Sequence, residues 1–176
     1  MATVSYLRSA LFSLILFVLL TGCAALPPGP IEPPPFPDAF MNSRWGDSVA
    51  EVKDAIERNG SLMFQDGTAN PPYALYASGT FFEEPAIFSY FFTPKSKKLY
   101  RVDVTYREPG VYEKVRRLLI QRFNDPTYSQ KDVDHWSWKD DSLVIFQREP
   151  SFVQVSYSNG PLSRLNHHEG DGLLGK

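Results

Sequence analysis

The stretch KLYRVDVTY, residues 98–106, and its near repeat SFVQVSY, residues 151–157, decide the fold of this chain. In both, apolar side chains alternate with polar ones: Val102, Val104 and Tyr106 in the first stretch, Val153, Val155 and Tyr157 in the second. Because successive side chains of a strand point to opposite faces, the alternation predicts two strands with one buried face each. The shared ending, VDVTY against VQVSY, predicts two similar units.

A predicted helix lies upstream of each of these strands. The first, RWGDSVAEVKDAIERNG at 44–60, places Ser48 and Glu51 at the spacing of a capping box and ends at Gly60. The second, PGVYEKVRRLLIQRF at 109–123, follows a Pro-Gly turn and has apolar residues at three-to-four spacing: Tyr112, Val115, Leu119 and Phe123. Its outward charges, Glu113, Lys114, Arg116, Arg117 and Arg122, are typical of a solvated helix surface, with a face for an acidic partner as the alternative.

Two more predicted strands lie between each helix and its final strand. In the first unit YALYASGTFF (73–82) and PAIFSYFFT (85–93) surround a predicted turn at Glu83-Glu84-Pro85, and in the second HWSWKD (135–140) and SLVIFQ (142–147) meet near Asp140-Asp141. A helix followed by an antiparallel meander, used twice, predicts an α+β fold for residues 40–160. The expected arrangement is two half-units that form a two-layer sandwich, with the helices on one sheet face.

Composition limits the function classes. The chain has 176 residues, 43% of them hydrophobic, which is enough for one domain with a core. A formal net charge of −2 gives no support for a nucleic-acid partner, which requires a basic surplus on one face. The single cysteine excludes an internal disulfide and a cysteine-based zinc cluster.

The N-terminal region is typical of an exported protein. Residues 11–20 are apolar except for Ser13, about the length of a signal segment and half of the ~20 residues that span a bilayer. The tetrapeptide Leu20-Thr21-Gly22-Cys23 that follows resembles the lipobox of bacterial envelope lipoprotein precursors. This predicts a lipoprotein signal peptide over 1–22, with an uncleaved N-terminal anchor as the alternative.

The lipobox resemblance implies a specific modification of Cys23. In that family the thiol takes a diacylglycerol, the chain is cut before the cysteine, and the new amine is acylated with chains such as palmitate. Only a cysteine thiolate supplies this nucleophile. The resemblance thus implies a membrane partner, contacted through the acyl chains on Cys23. Because Ala24, and not an aspartate, comes next, it also implies the outer membrane, facing the periplasm.

The segments on either side of the domain are predicted to lack a fold of their own. Residues 27–37, PPGPIEPPPFP, hold seven of the fifteen prolines and favour an extended conformation, so 23–39 is interpreted as the lipidated cysteine with a proline-rich tether. A proline-rich ligand for another protein is the alternative. The glycine-rich residues 161–176 are interpreted as a flexible C-terminal tail.

The domain itself resembles small α+β domains of bacterial envelope lipoproteins. The residues that carry the resemblance are WGDSVAEVKDAI (45–56), FNDP (123–126) and the strand KLYRVDVTY. Such domains include the SmpA/OmlA assembly lipoproteins, and the β-lactamase-inhibitor-protein-like fold is a doubled unit of this kind. The resemblance implies a non-catalytic, protein-binding role.

A search for catalytic and metal-binding residues finds two candidates. Asp134, His135 and Ser137 include the residue types of a nucleophilic triad, but on a strand Asp134 and His135 point to opposite faces. We therefore expect no enzyme, and expect Trp136 and Trp138 in the core with the polar residues outside. The other candidate is His167-His168 with Glu169 and Asp171, whose side chains are of the types that bind metal ions. We expect these residues to be ordinary polar sequence without a metal, so no cofactor or metal is predicted.

The aromatic run FFEEPAIFSYFF (81–92) leaves two functions open. On one strand Phe88, Tyr90 and Phe92 face one side and Ile87 and Phe91 the other, which predicts a strand covered on both faces or an exposed patch. The preferred hypothesis is a lipid-anchored envelope protein that acts as a protein-binding or scaffold module for an envelope partner. The alternative is a small-ligand or lipid-binding lipoprotein with a cleft between helices and aromatic strands.

Overall fold

The computed structural model describes residues 34–174, with side chains as far as residue 170. The signal peptide expected over 1–22, Cys23 and most of the tether lie outside these residues. The described elements are, in chain order, β1 Ala39–Phe40, β2 Ser43–Arg44, α1 Val49–Arg58, β3 Leu62–Asp66, β4 Ala74–Phe81, β5 Glu84–Phe92, β6 Leu99–Tyr106, a 3₁₀ turn Pro109–Val111, α2 Tyr112–Phe123, β7 Tyr128–Gln130, β8 Val133–Ser137, β9 Leu143–Glu149, β10 Phe152–Ser158 and α3 Gly160–Leu174.

Eight strands form one antiparallel sheet in the order β3-β4-β5-β6-β10-β9-β8-β7, and β1 pairs with β2 separately. The two stretches with matching ends are the central pair: in β6 and β10, Val104 lies opposite Val155 and Val102 opposite Tyr157. The α+β class and the antiparallel sheet are therefore confirmed. Strands β6 and β10 pair although about 50 residues separate them in sequence. They do so because each has a buried apolar face, and the two faces match in register.

Helix α1 begins and ends as the sequence predicts. The Ser48 side chain accepts a hydrogen bond from the Glu51 N–H, and the Glu51 carboxylate accepts one from the Ser48 N–H at 2.7 Å, which completes the capping box. The Ser48 hydroxyl also donates to the Glu51 carboxylate at 2.7 Å, and this bond, followed by the one from the Ser48 N–H, lowers the pKa of the Glu51 carboxyl. Gly60 has a φ of 67°, a left-handed conformation that glycine adopts without strain.

One face of the sheet, the inner face, forms the core together with helices α1 and α2. Inward residues of β5, β6 and β10 are fully buried, and the predicted apolar residues of α2, Val115, Leu119 and Phe123, join the same cluster, as do Val52 and Ile56 of α1. The other face of the sheet is called the outer face. It carries the strand residues that alternate in sequence with the core residues, such as Ile87, Thr105 and Gln154.

The β4–β5 turn differs from the predicted position. The two turn residues are Phe82 and Glu83, with φ values of 53° and 63°, and Glu84 and Pro85 already belong to β5. Two positive φ values are typical of a type I′ hairpin, which matches the twist of the flanking strands. The sequence carries no Asn-Gly or Asp-Gly here, so the turn type has no local signal.

Residues 160–174 form helix α3, so the expectation of a flexible tail over 161–176 is wrong for these residues. The Asn159 side chain accepts a hydrogen bond from the Leu162 N–H, and Pro161 stands in the first turn, where its missing N–H costs nothing. Further along, the Glu169 carboxylate accepts hydrogen bonds from the Lys95 and Ser96 N–H groups. Glu169 thus docks the helix on the distant loop at Lys95 and Ser96, a contact that the glycine-rich composition of the segment does not predict.

No helix among residues 34–174 combines the length and the apolar character needed to cross a membrane.

Candidate binding face of the sheet

Strand β5 is flanked by β4 and β6, and its two sides differ in burial. Phe88, Tyr90 and Phe92 are fully buried on the inner face, whereas Ile87 and Phe91 are only half-buried on the outer face. The strand is therefore covered on its inner face alone. Arg101 partly shields Phe91, with its guanidinium 5.2 Å from the ring centroid.

The edge strand β3 is exposed along its whole length. Leu62 is 70% exposed and Phe64 55%, and the register shifts between Met63 and Gln65. The Phe64 ring stacks on Tyr76 of β4 at 6.4 Å between centroids. An edge strand presents unpaired backbone groups, so an apolar edge of this kind is available to pair with another chain.

A contact with α1 holds the far end of β3. Lys53 Nζ lies 2.6 Å from Asp66 Oδ2, and the Thr68 N–H and hydroxyl donate to Asp66 Oδ1. The Lys53 bond, followed by those of Thr68, lowers the pKa of Asp66 to about 2. The ion pair connects the edge strand to the helix layer.

An open groove of about 600 Å³ crosses the outer face beside β3. Phe64, Pro85 and Ile87 form its apolar walls, and the hydroxyls of Ser78, Thr80 and Thr105 add polar groups. The exposed Arg107 stands at one end and has no hydrogen-bond or ion-pair partner among residues 34–174. The groove thus combines apolar surface with the positive charge of Arg107, which suits an apolar segment that carries a carboxylate.

A buried polar ladder borders the groove on the outer face. Arg101 binds Asp103 through two bonds of 2.7 Å, and Asp103 is 4% exposed. The Gln154 amide donates to Asp103 Oδ2 and to Thr105, both at 3.4 Å, and Gln147 donates to Gln154 at 3.2 Å. These bonds connect outer-face side chains of β6, β10 and β9 into one hydrogen-bonded network.

The structure separates the residues of the candidate triad. Asp134 points to the inner face, where it is 1% exposed and binds Arg116 Nε at 2.6 Å and the Ser129 hydroxyl at 2.6 Å. His135 and Ser137 belong to the outer face, and Ser137 Oγ lies 3.1 Å from Thr127 Oγ1. Trp136 is fully buried and Trp138 partly so, but Asp134 contradicts the expectation that the polar residues of this strand point outward.

Arg116 therefore does not belong to the solvated charges of α2. Its bond with Asp134 raises the pKa of the guanidinium and ties α2 to β8. The sequence did contain a signal for the Arg116–Asp134 pair. Asp134 is two residues before Trp136, and residues two apart on a strand share a face, so a buried Trp136 implies a buried Asp134 that needs a partner.

One residue of the candidate metal site, Glu169, has a structural role. Glu169 accepts from the loop at Lys95 and Ser96, as above, and the side chain of Asp171 lies outside the described residues. Within the described part of the chain no group of three His, Cys, Asp or Glu residues has the spacing to hold a metal ion.

Sequence reasoning missed the edge strand and Arg107. The run Leu62-Met63-Phe64, just after the helix-ending Gly60, was the available signal for a strand.

Searches against protein-family models, curated proteins and solved structures found no match to this chain.

Proposed function

We propose that this chain is a lipid-anchored envelope protein whose domain is a non-catalytic protein-binding or scaffold module. The observation that carries the proposal is the exposed apolar edge strand β3 beside a groove that ends at Arg107, which has no partner within the described residues. Large apolar side chains on an open edge favour association, and soluble monomers usually protect such edges. The partner class that fits is an envelope protein that presents an extended apolar segment with an acidic group.

The finer architecture belongs to the same proposal. We interpret the sheet as two half-units, α1 with β3–β6 and α2 with β7–β10, joined at the β6–β10 pair, with the helices on one face. The mirrored strand order about this pair supports the interpretation. It agrees with the doubled helix-plus-sheet unit that the resemblance to SmpA/OmlA and β-lactamase-inhibitor-protein-like domains implies.

Attachment to the membrane rests on residues outside the described part. The lipobox at Leu20–Cys23 supports acylation of Cys23, and Ala24 supports the outer membrane, facing the periplasm, as the location. Two or more acyl chains give a stable anchor, whereas one chain binds only marginally.

Site-specific photocrosslinking in intact cells tests the docking surface. A photoreactive residue is placed at Phe64 in the groove and, as a matched control, at Arg117 on the exposed side of α2. We expect a discrete crosslinked protein from position 64 and none from 117, and we expect Arg107→Glu to reduce its yield at least fivefold while Arg117→Glu leaves the yield unchanged. Equal yields from both positions, or indifference to Arg107→Glu, would contradict the docking surface.

A specific observation favours the alternative of a small-ligand or lipid-binding lipoprotein. The hydroxyls of Tyr90 and Tyr157 are buried in the aromatic core without a hydrogen-bond partner among the described residues. A buried polar group without a partner requires an explanation, and a bound ligand, like a water or an ion, supplies the missing hydrogen bond. Native mass spectrometry of protein purified from membranes would show a bound ligand, and its loss in Tyr90→Phe would favour this function over protein docking.

A further inference from the structure

The end of the proline-rich tether is bound to the domain by two tryptophans. Trp138 Nε1–H donates to the Pro34 carbonyl and Trp45 Nε1–H to the Pro37 carbonyl, each at 2.6 Å. Between these bonds the Phe36 ring stacks on Trp45 at 5.5 Å and meets Trp138 edge-on at 5.1 Å between centroids. We call Trp45 and Trp138 the tryptophan clamp.

This geometry is the chemistry by which proline-rich peptides are recognised. Proline rings restrict the backbone, so such a segment loses little conformational entropy when it binds, and its carbonyls remain free acceptors. Aromatic-lined grooves exploit both properties. A third indole, that of Trp136, also donates to a carbonyl, that of Asn124, but alone and in the interior. The clamp differs because both of its acceptors lie in one proline-rich segment, on either side of an aromatic ring.

The clamp is held by parts of the fold that do not depend on the segment. Trp138 packs edge-on against Phe123 of α2 at 5.6 Å, and its backbone closes the β8–β9 turn through bonds with Asp141 and Ser142. Trp45 precedes α1, and the next residue, Gly46, donates to the Leu99 carbonyl of β6. Each half-unit thus supplies one tryptophan at a position fixed by its own contacts.

We propose that Trp45 and Trp138 form a polyproline-recognition site whose resident ligand is the chain's own segment Pro34–Pro37. The recognition itself is independent of the proposed function. Its consequence for the anchor rests on that function: because the domain binds the tether from Pro34 onward, only the ten residues 24–33 would separate a lipidated Cys23 from the bound segment, with an upper limit of about 31 Å at ~3.1 Å per residue. The tether then leaves the domain at a fixed point.

Exchange of the three indole N–H groups with deuterium tests the clamp in the full chain, because Trp136 is an internal control. In Phe36→Ala we expect the Trp45 and Trp138 indoles to exchange at least tenfold faster than in the wild type, with Trp136 unchanged. Phe64→Ala, which removes an exposed ring elsewhere, should change none of them. Unchanged exchange at Trp45 and Trp138 would overturn the proposal.

Recognition, as opposed to mere proximity, is tested by supplying the segment separately. A synthetic peptide of residues 32–38, EPPPFPD, is added to the Phe36→Ala chain at millimolar concentration, the range of a tethered segment. We expect it to restore the protection of Trp45 and Trp138, whereas the same peptide with alanine in place of phenylalanine does not. No response to EPPPFPD, or an equal response to both peptides, would refute recognition. If Phe36→Ala also speeds the exchange of the Trp136 indole, the experiments are repeated with Phe36→Leu, which retains an apolar side chain without a ring. The expected outcomes are the same.

Discussion

Neighbouring residues of a strand can have entirely different environments, and Asp134 and His135 show this most clearly. Asp134 shares its parity with the buried Trp136 and lies among Arg116 and Ser129, while His135 lies on the outer face against the ring of Tyr128. An acid on the inner face requires a partner, since an unpaired buried charge is strongly unfavourable. Arg116 supplies the partner from α2, and the pair becomes a connection between layers.

Loss of this connection is expected to destabilise the protein. Breaking a buried pair costs about 3–5 kcal/mol, and because the Arg116 side chain is 34% exposed and can turn to water, we expect about 1–3 kcal/mol for Asp134→Asn. The matched control is Asp132→Asn, which removes the more exposed bond between Asp132 and Arg148 and should cost clearly less than Asp134→Asn. Urea denaturation at neutral pH measures the free energy of unfolding of both variants. Equal decreases would mean that the burial of Asp134 does not strengthen its ion pair.

Among the elements, the edge strand β3 is held by an ion pair that depends on pH. Because the pKa of Asp66 is lowered to about 2, the ion pair stabilises the folded state above the unfolded pKa of 3.8, and this contribution disappears as the pH falls through 2. We expect Asp66→Asn to lower the free energy of unfolding at pH 7 by at most about 1 kcal/mol, since both side chains are 38% exposed.

The measurement is urea denaturation of the wild type and Asp66→Asn at pH 7 and at pH 2. The difference between them should be present at pH 7 and lost near pH 2. Asp54→Asn, which removes an exposed carboxylate from the same helix, should show no comparable change. A difference that persists at pH 2 would mean that the carboxylate charge is not what binds β3 to α1.

Helix α3 offers a pair of glycines that test its docking. A Cβ at Gly160 would lie 2.5 Å from the Asp141 carbonyl carbon and 2.6 Å from the Ser142 nitrogen, whereas one at Gly170 would meet nothing within 4 Å. We expect Gly160→Ala to destabilise the protein by at least about 2 kcal/mol, because backbone must move. Gly170→Ala should be neutral or stabilise by up to about 1 kcal/mol, as alanine favours helix. Thermal unfolding compares them, and identical behaviour of the two variants would indicate that 160–174 is not docked.

For the whole molecule, the clamp and the groove lie at opposite ends of the central strands. Trp45 is next to the residue that bonds Leu99 at the start of β6, and Arg107 follows Tyr106 at its end, so the two sites are separated by the length of β6, about 25 Å. The groove therefore lies at the end of the sheet opposite to the bound segment Pro34–Pro37.

The proposed lipid anchor leads to a prediction about export. In an envelope-containing host, Cys23→Ser should abolish lipid modification and leave the precursor uncut before residue 23, because serine lacks the thiolate nucleophile. Mass spectrometry of the N-terminal peptide checks this, and Ala24→Asp provides a control that retains the lipid and should move the protein to the inner-membrane fraction. A mature N-terminus that is identical in Cys23→Ser and wild type would contradict the lipoprotein proposal.

The sequence by itself determined the features whose causes are local. The capping box at Ser48 and Glu51, the apolar stripe of α2 and the alternation in β6 and β10 need only near neighbours, and all were predicted correctly. The lipobox is likewise a local pattern, and it remains a prediction. Only the tertiary structure decided the partner of Asp134, the docking of α3, the openness of β3 and the binding of Phe36 by two tryptophans about 90 residues apart. Each of these depends on which distant elements meet, because burial and pairing are properties of the packed chain and not of any short stretch of it.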